Sequence, residues 1–222
     1  MDQKLEKIIS KEFGDVYYSD DDGLAEKKHV FFDQIQFEKI IAERSNVTIV
    51  EFGFGLGLNL YLCLETVIKS NADVKINYFT IEKHPLSKDL LYDFYIENKM
   101  RNEGLSGFLK SYGNFVDGLN NVTLTEKVGV DFYKGDVNGA MNELPNEVDV
   151  WFLDGFSPSL NPQMWTDEIF ETMAKHSGVG AQFATYSAAG FVRRGLQEVG
   201  FLVEKKKGYG RKRDILSGIY QE

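Results

Sequence analysis

Val47–Phe52 is a β-branched apolar run, and the segment after it changes period. Leu58–Lys69 sets Leu60, Leu64, Val67 and Ile68 on one side of a helix. The alternation then repeats. Lys75–Ile81 reads as a strand and Ser87–Asn98 as a helix. Val122–Lys127 and Val130–Lys134 are strand-like, and Val148–Leu153 is apolar enough to be buried on both faces. Thr166–Lys175 predicts a helix with Thr166 as its N-cap. A strand at Val179–Thr185 and a helix at Ala188–Val199, stopped by Gly200, follow. Phe201–Lys205 and Ile215–Tyr220 are strands around a basic, glycine-containing turn. Residues 99–120, with Gly104, Gly107, Gly113 and Gly118, yield no assignment. At the front, residues 1–12 read as a short helix. Residues 13–40 read as two strand-like pieces around the Asp20-Asp21-Asp22-Gly23 turn. We divide the chain into an N-terminal extension, 1–46, packed on an α/β domain, 47–222.

Strands that alternate with helices imply βαβ units and a mostly parallel sheet covered on both faces. The last two strands have no helix between them, so they form an antiparallel hairpin at the sheet edge. This α/β shape, Rossmann-like with a C-terminal antiparallel hairpin, is that of class I S-adenosylmethionine-dependent methyltransferases.

Composition narrows the class further. A chain of 222 residues that is 43% hydrophobic and 27% charged is an ordinary globular domain, not a disordered one. It has no apolar run of roughly 18 residues, so no membrane span is expected. The charged start MDQKLEKII is no secretory leader. Cys63 is the single cysteine, which excludes an intrachain disulfide and fits a cytoplasmic location. His29, His84, His176 and Cys63 lack ligand spacing, so no metal is expected. Net charge is −9, but residues 193–222 hold eight Lys/Arg against four acids, which leaves −13 to the remainder. One concentrated basic stretch on an acidic protein reads either as a local nucleic-acid contact or as a solvated hairpin tip.

The strongest local feature is Glu51-Phe52-Gly53-Phe54-Gly55-Leu56-Gly57, at the first strand-to-helix turn. There the carboxyl end of a strand opens the ligand crevice of such a sheet. A dinucleotide fingerprint needs G-x-G-x-x-G, and both frames fail, with Leu58 or Leu60 in the third position. No G-K-S/T follows, so a phosphate loop is excluded as well. G-x-G-x-G after an acid is the spacing of S-adenosylmethionine sites; a bare tight turn is the alternative. Glu82, beside Lys83, ends the second strand 25 residues after Gly57, where a carboxylate accepts from both ribose hydroxyls. Asp136, followed by Val137, ends the next and is placed to meet the adenine amino group. Three acids at successive strand ends beside a glycine turn favour a shared nucleoside site.

Asp154, in Trp151-Phe152-Leu153-Asp154-Gly155-Phe156-Ser157-Pro158, ends the strand over which methyl transfer would occur. An attacking amine must be neutral, with its lone pair in line with the methyl. Asp154 can accept an N–H and take up the released proton. A bare carboxylate also favours the ammonium, so orientation outweighs base strength. A simple loop-capping role is the alternative. Phe156, Pro158 and Trp165 are of a size to wall a base-sized pocket.

At these residues the chain resembles a known family, the methyltransferase domain of MnmC, the bifunctional tRNA 5-methylaminomethyl-2-thiouridine biosynthesis enzyme. The matching stretches are Asp15–Ser19 (DVYYS), Asp22–Glu26 (DGLAE), Glu51–Asn59 (EFGFGLGLN) and Phe79–Leu86 (FTIEKHPL). Further on they are Trp151–Pro158 (WFLDGFSP), Asn161–Thr166 (NPQMWT), Ala184–Gly195 (ATYSAAGFVRRG) and Lys205–Arg213 (KKKGYGRKR). The resemblance implies methyl transfer from S-adenosylmethionine to the exocyclic amine of 5-aminomethyl(-2-thio)uridine at the tRNA wobble position. It implies that Glu51, Gly53, Phe54, Gly55, Gly57, Asn59, Glu82, Lys83, Asp136, Val137 and Asp154 form the cofactor side, with Asp154 also beside the target amine. Tyr17 and Tyr18 would help close the site. Lys206, Tyr209 and Arg211 would meet the anticodon loop, phosphates fixing orientation and Tyr209 stacking on a base. The family's large form carries an FAD-dependent oxidase domain; this chain ends at Glu222 without it, so unless the chain is a piece of a longer one no FAD is expected here, and a separate oxidase or another route would supply the aminomethyl group. Leu56 stands where the pattern expects threonine or a small residue. A small-molecule N-methyl- or aminopropyltransferase of the same fold, and a non-catalytic RNA-binding relative, remain the alternatives.

Overall fold

A computed structural model describes residues 22–210 and 214–222. Its centre is β1 (Asn46–Phe52), β2 (Lys75–Glu82), β4 (Val128–Lys134), β5 (Val148–Leu153) and β6 (Ser177–Thr185), five parallel strands. Antiparallel strands close both edges: β3 (Gly118–Thr123) beside β4, and β8 (Ile215–Tyr220) between β6 and β7 (Phe201–Lys206). The sheet order is β3-β4-β2-β1-β5-β6-β8-β7. Chain order reverses direction at β1 and β5, the switch point where sheets of this kind bind ligands.

Alternate residues of each central strand feed two cores, because successive side chains point to opposite faces. On β1, Val47 and Ile49 join one cluster and Val50 and Phe52 the other. The first face is covered by α1 (Gly23–Lys27), a π-helical turn (Lys28–Asp33), α2 (Phe37–Glu43), α3 (Leu58–Ser70), α4 (Lys88–Glu97) and α5 (Glu103–Tyr112). The second is covered by α6 (Val137–Ala140), α7 (Asp167–His176) and α8 (Gly190–Glu198). No described helix is long and apolar enough to cross a membrane.

The alternating pattern, the C-terminal hairpin and the Thr166 cap appear where the sequence puts them. Several expectations change. The second strand-like piece of residues 13–40 is helical from Gly23 on. Asp22, at φ 63°, caps α1 by accepting from the Ala25 N–H, and the π turn lets the adjacent Val30, Phe31 and Phe32 all reach the core. The first piece and the helix at 1–12 lie outside the described residues. Residues 99–120 hold α5, whose Leu105, Phe108, Leu109 and Tyr112 form one buried stripe, and the start of β3. The strand expected at Val122–Lys127 is Gly118–Thr123, followed by a turn into β4. Ile68 leaves the stripe of α3 and is 57% exposed.

Candidate active site

A cleft of about 300 Å³ opens over the carboxyl ends of the parallel strands. Its rim is the glycine turn, where Gly53, Gly55 and Gly57 have φ of 91°, 54° and 69°. Gly53 matters most. Its N–H donates to the Ile81 carbonyl at 2.9 Å. A Cβ here would stand 2.8 Å from the Asp154 carbonyl oxygen and 2.9 Å from Gly155 Cα, so only glycine lets the β1 and β5 loops meet.

Glu82 faces this turn. Its carboxylate accepts the Gly55 N–H at 3.0 Å and the His84 N–H at 2.8 Å, which fixes its direction. Asp136 caps α6, accepting from Asn138 N at 3.0 Å and Nδ2 at 2.8 Å, and pairs with Lys83 at 3.3 Å. Partial burial pushes the Asp136 carboxyl up, but the Asn138 bonds and Lys83 outweigh it and hold the group below the ordinary carboxylate range. Ile81 and Val137 supply apolar wall between the two acids. A hydroxyl-accepting carboxylate, an apolar slot and a second acid suit a nucleoside with a sugar diol, so the donor set fits S-adenosylmethionine.

Asp154 closes the other end. Its N–H donates to the Phe52 carbonyl at 2.9 Å, which pins the residue to the end of β1. Its carboxylate accepts Asn59 Nδ2 at 2.8 Å and is paired with Lys27 from α1. Burial raises its pKa above the ordinary value, and Lys27 and Asn59 only partly offset this. Asn59 Nδ2 also donates to Glu51 at 2.9 Å, and Thr80 Oγ1 donates to the other Glu51 oxygen at 2.7 Å. Glu51 is wholly buried, and burial followed by the charge of Asp154 pushes it up to about 8, so it stands neutral at pH 7. A carboxyl raised on folding stabilises the fold fully below pH about 4.5 and loses that contribution as pH rises to about 8. Glu51→Gln is therefore expected to flatten the fall in melting temperature between pH 5 and pH 8.5, with thermal melts as the check.

Of the residues singled out in the sequence, Gly53, Phe54, Gly55, Glu82, Lys83, Asp136, Val137, Asp154 and Phe156 line the cleft. Glu51 and Asn59 lie beneath its floor as hydrogen-bonded supports, and Gly57 starts α3 behind it. Leu56 is buried, and its carbonyl accepts the Tyr95 hydroxyl at 2.6 Å. Trp165 is buried and braces the loop, its Nε1 donating to the Phe156 carbonyl at 3.2 Å; Pro158 is half-buried in that loop, away from the cleft lining. Lys206 and Tyr209 lie on the hairpin tip, which docks on the N-terminal helices. Lys206 Nζ donates to the Gln34 carbonyl at 3.3 Å, and the Tyr209 hydroxyl donates to Asp22 at 3.4 Å. Tyr17, Tyr18 and Arg211 lie outside the described residues. Sequence reasoning missed Lys27, Asn161, Met164 and Tyr186, which also line the cleft. Tyr186 sits inside the quoted ATYSAAGFVRRG stretch, where that motif was the available signal. Nothing near Lys27 in the sequence points to Asp154.

A family model described as S-adenosyl-L-methionine-dependent methyltransferase matches residues 100–221. The chain is 39% identical, over 95% of its length, to the tRNA 5-methylaminomethyl-2-thiouridine biosynthesis bifunctional protein MnmC of Pseudoalteromonas atlantica, of which the match covers 32%. It is 40% identical, also over 95% of its length, to the protein of the same name from Methylobacillus flagellatus, of which 33% is covered. The chain thus spans about a third of the length of the curated relatives it matches. Among solved structures, MNMC2 from Aquifex aeolicus aligns with a TM-score of 0.75 and 24% identity, over 95% of this chain and 66% of that one, and supports the fold.

Proposed function

The chain belongs to the S-adenosyl-L-methionine-dependent methyltransferase family, and from that premise we propose that it methylates the exocyclic amine of 5-aminomethyl(-2-thio)uridine at the tRNA wobble position. The product is 5-methylaminomethyl(-2-thio)uridine. The carrying observation is the single cleft that joins the glycine turn and Glu82 to Asp154. S-adenosylmethionine, when bound, supplies a methyl on a sulfonium: the amine nitrogen forms the new N–C bond as the C–S bond breaks and sulfur keeps the pair. Gly53 and Gly55 let the backbone approach it, Glu82 takes the ribose, and Asp136 and Val137 take the base. Asp154 accepts an N–H of the target amine, aims its lone pair and passes the released proton to water. Phe156, Asn161, Met164 and Tyr186 wall the side from which a splayed base would enter.

The name of the relatives, with their identity along nearly the whole chain, supports tRNA as the substrate. The anticodon loop is single-stranded, so a flipped base costs little there. The tip bearing Lys206, Tyr209 and Arg211 is the proposed phosphate and stacking contact, and residues 1–46 are proposed as an extension that completes the site. The proposed place of the reaction is the cytoplasm, with tRNA.

The test is transfer of labelled methyl from S-adenosylmethionine into bulk tRNA from cells that lack this activity, with nucleoside mass analysis. Label in 5-methylaminomethyluridine, thiolated or not, is expected. Label only in small amines, or cofactor binding without any transfer, would move the reading to a small-molecule enzyme or a non-catalytic relative. Charge reversal at Lys206 and Arg211 together is expected to raise the tRNA KM several-fold and to lower the slope of log affinity against log salt by roughly 1–2. An unchanged KM would remove the tip from the interface.

A further inference from the structure

Lys27 enters the cleft from α1, and its ammonium lies against both carboxylate oxygens of Asp154. It also sits 5.1 Å from the centre of the Phe31 ring. Asn59 holds Asp154 Oδ2 at 2.8 Å. The Asp154 side chain is 8% exposed and that of Lys27 22%, so the pair faces little water. The seat assigned to the target amine is thus a neutralised carboxylate, where the sequence suggests a bare one.

The difference bears on the chemistry. A primary alkylamine resembles the lysine amine, with a pKa near 10.4, and is an ammonium at neutral pH. An ammonium has no lone pair to attack with. A bare, buried carboxylate would stabilise that unreactive form. With Lys27 in place, the negative charge is already matched and a fixed positive charge stands beside the seat. A neutral N–H can still donate to Asp154, while an ammonium is repelled.

We propose that Lys27 is a positioning residue of the methyl transfer, which acts through Asp154 to admit the target amine in its neutral form. The inference rests on the placing of that amine at Asp154. The excess proton of the incoming ammonium goes to bulk water on binding. The surrounding charges do not replace Lys27. Glu26, on its own helix, acts on Asp154 in the opposite sense. Glu51, behind Asn59, is neutral at pH 7. Across the cleft Lys83 is paired with Asp136, and Glu82 is held by the backbone of Gly55 and His84.

The test is calorimetric binding of 5-aminomethyluridine to enzyme preloaded with S-adenosylhomocysteine, at pH 7 in buffers of different ionisation enthalpy. The slope against ionisation enthalpy counts protons released. About one proton per amine is expected for wild type and for Lys27→Arg, and about none for Lys27→Met or Lys27→Gln. S-adenosylhomocysteine affinity within about twofold of wild type shows that each variant is folded. The kcat–pH profile on tRNA is the companion readout. In Lys27→Met its acid limb is expected to move up by at least one pH unit, roughly a tenfold loss at pH 7 that recovers near pH 9. Wild type that binds the amine without releasing a proton would overturn the proposal alone. So would Lys27→Met that releases one, or that loses turnover equally at every pH. Wild type with no affinity for the amine would overturn the placing of the amine at Asp154 and the proposal with it.

Discussion

Asp154→Asn is expected to bind S-adenosylmethionine within about threefold of wild type and to lose roughly a hundredfold or more in turnover. The proposed cofactor side is the glycine turn, Glu82 and Asp136, none of which bonds to the Asp154 carboxylate. The replacement keeps shape but puts an NH2 where two donors, Lys27 Nζ and Asn59 Nδ2, converge. The carboxamide therefore turns its one oxygen to one of them and offers hydrogens to the other. The incoming amine loses its acceptor and its aim. Lys27 loses its partner, but its side chain is 22% exposed and can swing to water, so folding is expected to suffer by only about 1–3 kcal/mol. Calorimetry separates the two effects. Loss of cofactor affinity along with turnover would show that Asp154 holds the cofactor and not the amine.

Gly53→Ala is expected to damage both halves of the site at once. A non-glycine residue at φ 91° carries backbone strain of order 1–3 kcal/mol. The added Cβ meets backbone on the opposite loop at 2.8 Å and 2.9 Å, and backbone cannot rotate away as a side chain can. Relief requires the β1 and β5 loops to part, which displaces Asp154. An overall cost of about 2–4 kcal/mol follows, or a fall in melting temperature of roughly 4–16 °C for a chain of this size. Cofactor affinity is expected to fall at least about tenfold, because Gly55 and its bond to Glu82 move with the turn. A variant that melts and binds like wild type would mean that the turn does not shape the cofactor site.

The parts legible in the sequence share a property: their signal lies within a few neighbouring residues. The strand periods of Val47–Phe52 and Val148–Leu153, the glycine spacing and the acids at strand ends are of this kind. The α5 stripe was legible in principle, since Leu105, Phe108, Leu109 and Tyr112 keep helical spacing. Gly104 and Gly107 obscured it, each costing a helix about 1 kcal/mol that burial of the stripe offsets. The Val30-Phe31-Phe32 run, part of the second strand-like piece in the sequence, is helical in the fold; a short apolar run fits strand and buried helix alike.

The sequence by itself determined the alternating α/β order, the glycine turn after the first strand and which carboxylates end the parallel strands. Periodicity, glycine conformation and strand ends are local properties. Only the tertiary structure decided how those carboxylates are charged and partnered. Lys27 reaches Asp154 across 127 positions of sequence, because the N-terminal helices cover the sheet face beside α3. Glu51 becomes a neutral support because the closed sheet removes it from water. Charge state in a site follows from burial and from non-local partners, and neither exists until the chain has folded.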